Sequence, residues 1–113
     1  MSALSDARVL ELGRGYAALL QAREYDRLWQ HLTPEAQARL GSPASFRSWA
    51  EQNRDGLGDE QSAIRESVEL PRPGMRADRL YLRVSRHAEV PARLVIGLRN
   101  DGSIVGMQLR RGN

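Results

Sequence analysis

The sequence predicts an α+β fold: three N-terminal helices packed on a four-stranded antiparallel sheet. Three observations predict it. Apolar residues recur every three or four positions through the first half of the chain, then at every second position after about residue 60. Cap-then-proline pairs and glycines punctuate the first half. An Asp-Gly turn joins two alternating runs in the second. A sheet with one apolar face needs a cover, and the helices are the elements that can supply it.

The first helix is read from Val9, Leu12, Tyr16 and Leu19, with Leu20 alongside, which form one apolar stripe over about three turns. Ser2 or Ser5 supplies the N-cap oxygen, and Asp6 then sits in the first turn, where a negative charge is favoured. Gly13 and Gly15 interrupt this stretch and mark a close approach of another segment. Tyr25, Leu28, Trp29 and Leu32 share one helical face. Thr33-Pro34 restarts a short helix that Gly41 ends in the left-handed conformation, and Ser42-Pro43 repeats the signal. The third helix carries Phe46, Trp49 and Ala50 inward and runs out near Asn53.

Four strands follow. One face is assigned to Ile64, Val68 and Leu70, then to Leu80, Leu82 and Val84. It continues through Ala92, Leu94, Ile96 and Leu98 to Val105, Met107 and Leu109. "PRPG" at 71–74 and "NDGS" at 100–103 are turns.

A chain of 113 residues points to one domain spanning 1–113. With 41% hydrophobic and 27% charged residues it has an ordinary globular composition. Cysteine is absent, so neither a disulfide scaffold nor a thiolate metal site can form. All seventeen basic residues are arginine, a bias expected of a GC-rich bacterial genome, and they are scattered among fourteen acids rather than gathered into a basic tail. No apolar run reaches the ~20 residues of a membrane span, and the first residues are charged where a signal peptide is apolar. The expectation is a cytoplasmic protein, or a domain excised from a longer one.

Helices first, with "AREYDRLWQHLTPEAQARL" in the middle, then a helix ending near glycine and a meander of strands, resembles the nuclear transport factor 2-like (cystatin-like α+β) superfamily. The short helix, aromatic pair, Thr-Pro-Glu, third helix and strands look most like small accessory domains joined to penicillin-binding-type transpeptidases or hydrolases. The resemblance covers about residues 3 to 110. It implies a strongly curved sheet whose concave side holds the helices, forming a cone with a cavity. Some members of that superfamily are isomerases, dehydratases or epoxide hydrolases, but no segment here matches a catalytic motif of theirs. Many others are binding or accessory domains.

The residues offer three kinds of site. Tyr16, Trp29, Phe46 and Trp49 fall on apolar helix faces, where they either pack the core or line a pocket for a flat apolar ligand. His31 is the candidate for acid–base work, since histidine as a residue type titrates near neutrality, but it lies off the stripe, and Asp78 heads the second strand as either an inward base or a turn residue. His87 ends that strand. HExxH, GxGxxG and GxSxG are absent, so no metal, nucleotide cofactor or serine nucleophile is expected.

The second sheet face is assigned Tyr81 and Arg83, then Arg93, Val95 and Arg99, then Ile104 and Arg110. Arginine over aliphatics suits a homodimer or partner-domain interface, or a solvated face. Tyr81 amid arginines would suit nucleic acid, the weakest of these readings. The leading expectation is a non-catalytic ligand-binding or accessory domain that self-associates through this face. The alternatives are a small lyase or isomerase using His31, Tyr16 or Asp78 on an apolar substrate, and arginine-mediated nucleic-acid binding.

Overall fold

Ser5 opens the first helix: its hydroxyl accepts a hydrogen bond from the Arg8 backbone N–H at 3.1 Å. In the computed structural model, which describes residues 3–88 and 90–112, this helix, α1, spans Asp6–Gln21 and buries Val9, Gly13, Tyr16 and Ala17 along one stripe. Ser2, the other cap candidate, lies outside the described residues. The chain then turns sharply, with Arg23 at φ 60°. A separate helix, α2 (Tyr25–His31), follows.

Thr33 caps α3 (Pro34–Leu40), accepting from the Ala36 N–H at 3.2 Å, and Gly41 ends it at φ 92°. Ser42 caps α4 (Pro43–Leu57) in the same way, with Ser45 as donor at 3.1 Å. Helices therefore number four among the described residues, not three. The Ala22–Glu24 turn separates α2 from α1, and the Thr-Pro pair separates it from α3. Helix α4 also runs past Asn53 to Leu57, because Gly58 at φ 77° is the residue that ends it.

Four antiparallel strands, β1 (Glu60–Glu69), β2 (Arg79–His87), β3 (Pro91–Leu98) and β4 (Ile104–Arg111), pair in chain order. The Asp-Gly turn joins β3 to β4, with Gly102 at φ 89°. On the helix side, Leu94, Ile96 and Leu98 join Val9, Leu28 and Phe46 in one core, and Met107, Leu109 and Val68 pack against it. Fully burying a side chain such as Phe46 or Ile96 stabilises by about 1.5–3 kcal/mol.

Three strands depart from the expected faces. On β2 it is Tyr81, Arg83 and Ser85 that face the helices, paired with Ile96, Leu94 and Ala92 of β3. Leu80 and Leu82 lie on the opposite side, where Leu80, Ala77 and Val105 form a second small cluster with Leu82 and Val95 against it. Both faces of this strand are covered, one by the helices and the other in part by Ala77 of the segment before it. On β4 the register shifts beside Val105, so Ile104 turns into the main core at 0% exposure and Val105 turns out. On β1, Ile64 sits at a register shift and is 54% exposed, while Leu70 lies past the strand end. No helix among the described residues is long and apolar enough to cross a membrane.

Candidate functional site

The helix side of β2 carries a polar ladder in place of an apolar row. Arg83 clasps the Glu60 carboxylate with two hydrogen bonds, Nε at 3.0 Å and Nη2 at 2.7 Å. Ser85 donates to the same carboxylate at 2.6 Å. The other Arg83 nitrogen, Nη1, reaches Glu66 at 3.3 Å and the Tyr81 hydroxyl at 3.2 Å. Tyr81 donates to Glu66, which also takes Arg14 Nε at 2.9 Å. Glu60 and Arg83 side chains are only 10% and 15% exposed. Two carboxylates and two guanidiniums thus share one network, in which each buried charge has a partner.

That network decides its own chemistry. Burial would raise Glu60, but the bonds from Arg83 and Ser85 and the Arg83 charge outweigh it and hold the carboxyl below its usual range. Glu66 is lowered in the same way: burial opposes, while Tyr81, Arg14 and Arg83 prevail. Burial, then the bond to Glu66, pushes the Tyr81 hydroxyl up to about 12. Near neutrality the carboxylates are therefore ionised and already bonded, and the phenol is neutral. None of these groups is poised to take a proton at that pH.

Beside the ladder, between α1, α4 and the sheet, lies a cavity of about 40 Å³ lined by Leu20, Tyr25, Trp49 and Leu57. It is on the scale of one or two water molecules, far below a typical ligand pocket. The Tyr25 hydroxyl at its wall is buried, with the Glu51 carboxylate near it but no hydrogen bond of good geometry among the described residues.

Three larger hollows open to the surface, and two of them hold residues expected at a site. One, of about 550 Å³, brings together Tyr16 and His31, whose ring centroids are 5.2 Å apart, with Arg99 and Asp101 at its rim. The Tyr16 hydroxyl is already bonded to the Gly102 carbonyl at 2.5 Å, and charges of both signs line this hollow. The other, of about 530 Å³, is a groove over the edge strand β4. Its walls are Leu40, Phe46 and Trp49 from the helices, Met107 and Val105 from β4, and Ala77 from the segment before β2. Arg39 and Arg76 stand at it, and no aspartate or glutamate lines it.

The expected pocket residues therefore separate. Phe46 is core, 1% exposed, stacked on Trp49 at 5.9 Å and close to Tyr25 and Trp29. Phe46 and Trp49 meet the groove, Tyr16 and His31 meet the other hollow, and Trp29 is half-buried against the core. Asp78 is exposed and accepts the Asn100 N–H at 2.9 Å, so it is a turn residue and not an inward base. His87 donates from Nδ1 to the Gly58 carbonyl at 3.0 Å.

Of the residues assigned to the second face, Tyr81, Arg83 and Ile104 lie on the helix side instead, for the reasons of phase and register given above. Arg93 and Arg110 are exposed opposite each other, Val95 is half-buried beside Leu80, and Arg99 lies at the β3–β4 turn. Sequence reasoning missed Glu60, Glu66 and Arg14, and set Ser85 with Tyr81 and Arg83 on the outer face. The available signal was a pair of opposite charges, Glu66 in phase with Val68 and Arg83 in phase with Tyr81, on neighbouring strands. Among the described residues no group of three or more histidines or acids is placed to hold a metal.

No protein family, curated protein or solved structure matches this chain.

Proposed function

We propose that this chain is a non-catalytic ligand-binding or accessory domain of the nuclear transport factor 2-like type, with its ligand site in the β4 groove. Helices laid over one face of an antiparallel meander support the assignment, and their order is that of the superfamily. The observation that carries the binding reading is a contrast. The polar interior is closed on itself by Arg83, Glu60, Glu66 and Tyr81, whereas the groove of about 530 Å³ is open, lined mainly by apolar residues and of ligand size.

Titration with a neutral apolar dye that brightens on burial tests it. Saturable binding that quenches Trp49 emission in a Trp29→Phe protein supports the groove. Binding that leaves Trp49 unchanged, or no binding, removes it.

A second reading, self-association through the outer sheet face, is favoured by half-buried Leu82 and Val95 beside exposed Arg93 and Arg110. Light scattering at high micromolar concentration is its test: a dimer that Val95→Asp dissociates supports it, and a monomer rejects it.

A further inference from the structure

We infer that the β4 groove takes an anionic amphiphile, a molecule with an apolar chain and a single carboxylate-like head. The inference rests on the groove being the ligand site and names the chemistry of what enters. The floor supplies the apolar part: Leu40, Phe46, Trp49 and Met107 on the helix side of β4, Val105 and Ala77 on the other.

The charge at the groove is one-sided. Arg39 and Arg76 are both exposed, neither forms an ion pair among the described residues, and no acid lines the groove. Arg39 is held in place by donating from Nη2 to the Val105 carbonyl, which leaves its other N–H groups for a second acceptor. An apolar trough lined by two cations and no anion, with Glu35 the acid that Arg76 feels from beyond the lining, complements a greasy chain that ends in a negative charge.

The backbone argues against an added peptide strand as the occupant. The edge carbonyls of β4 that begin the groove are already taken, Ile104 O by the Thr33 N–H at 2.9 Å and Val105 O by Arg39. A strand joining there would find its first acceptors occupied. A small molecule needs neither.

Gly106 provides the decisive variant. It lines the groove, its φ is not positive, and a Cβ built on it meets nothing within 4 Å. Gly106→Leu therefore fills the trough while leaving the strand intact, and a strand position tolerates the larger side chain.

The experiment is calorimetric titration of the whole chain with decanoate and with decan-1-ol below their aggregation limits, alongside Gly106→Leu and Arg39→Gln/Arg76→Gln. We expect decanoate to bind at least tenfold more tightly than decanol at neutral pH. The advantage should shrink in the arginine variant and at high salt, and affinity should rise by up to about fourfold per methylene from octanoate to dodecanoate. Gly106→Leu, with an unchanged thermal midpoint, should lose both ligands. Equal binding of acid and alcohol overturns the anionic head while leaving the groove as the site. Loss of neither ligand in Gly106→Leu, or binding of neither by the parent chain, overturns the site itself. Self-association that Gly106→Leu abolishes assigns the groove to a second copy and also overturns the proposal.

Discussion

The ring of Tyr81 rests on bare backbone at Gly13: a Cβ on that glycine would lie 2.2 Å from the ring Cγ and 2.3 Å from Cδ1. The contact lets α1 approach β2 closely enough for Tyr81 to be fully buried with its hydroxyl on Glu66. Gly13→Ala should therefore force helix and sheet apart and destabilise by about 1–3 kcal/mol or more. Gly15, two positions on, faces open space. Gly15→Ala should stabilise by about 0.5–1 kcal/mol, because alanine loses less entropy in a helix. Urea denaturation of the two variants checks the opposite signs, and equal effects would show that Gly13 is not packed under Tyr81.

Removing one partner of the Arg83–Glu60 pair strands a charge in the interior. Arg83→Met should cost about 3–5 kcal/mol, since Glu60 loses its ion-pair partner and keeps only neutral donors such as Ser85 and Gln21. The double variant Glu60→Leu/Arg83→Met should recover most of that loss, because no buried charge remains. A double variant as unstable as the single one would show that the pair is needed for shape and not for neutralisation. Thermal and denaturant midpoints distinguish the two.

Stability should fall at both ends of the pH scale, for different reasons. Glu60 and Glu66 have folded values below their unfolded ones. Their contribution is present above the unfolded carboxylate value of about 4.3 and is lost as pH falls through the folded values. Tyr81 is raised to about 12 from about 10. Its contribution is complete below pH 10 and is lost as pH rises from there to about 12. Denaturant midpoints at stepped pH should show a plateau between these limits. In tyrosinate absorbance, the folded chain should titrate above 10 and the urea-unfolded chain near 10, since Tyr16 and Tyr25 are also raised by burial.

Two tyrosine hydroxyls should answer the same substitution with opposite signs. Tyr16 donates to Gly102 O, so Tyr16→Phe should cost about 0.5–1.5 kcal/mol. The Tyr25 hydroxyl is buried with the Glu51 carboxylate near it but no hydrogen bond of good geometry, so Tyr25→Phe should be neutral or stabilise by about 1 kcal/mol. A clear loss in Tyr25→Phe would mean that this hydroxyl does find a partner in the folded chain.

The helices were legible because their signals are local. Ser5, Thr33 and Ser42 accept the backbone N–H groups that their positions call for, and Gly41 and Gly102 take the left-handed values that their turns require. The close approach announced by Gly13 is real, although Gly15 beside it marks nothing. The count of helices failed because a turn at Ala22–Glu24 depends on how α1 and α2 pack and not on a breaker residue.

On β3 the alternation of Ala92, Leu94, Ile96 and Leu98 names the buried face, and it succeeds because the intervening positions are mostly polar or small. On β2, aliphatic residues in one phase and Tyr81 in the other already imply that both faces of this strand are covered. Which phase meets the helices was decided by Gly13, which admits a ring, and by Glu60 and Glu66, which neutralise Arg83 from a neighbouring strand. On β4 a single register shift exchanged the places of Ile104 and Val105. The groove followed from that exchange, since Val105 on the outer side and Met107 on the inner side both border it. Periodicity records what each residue prefers to touch. It holds no information about which partner arrives from distant sequence, and in this protein that arrival places both the ion-pair ladder and the groove.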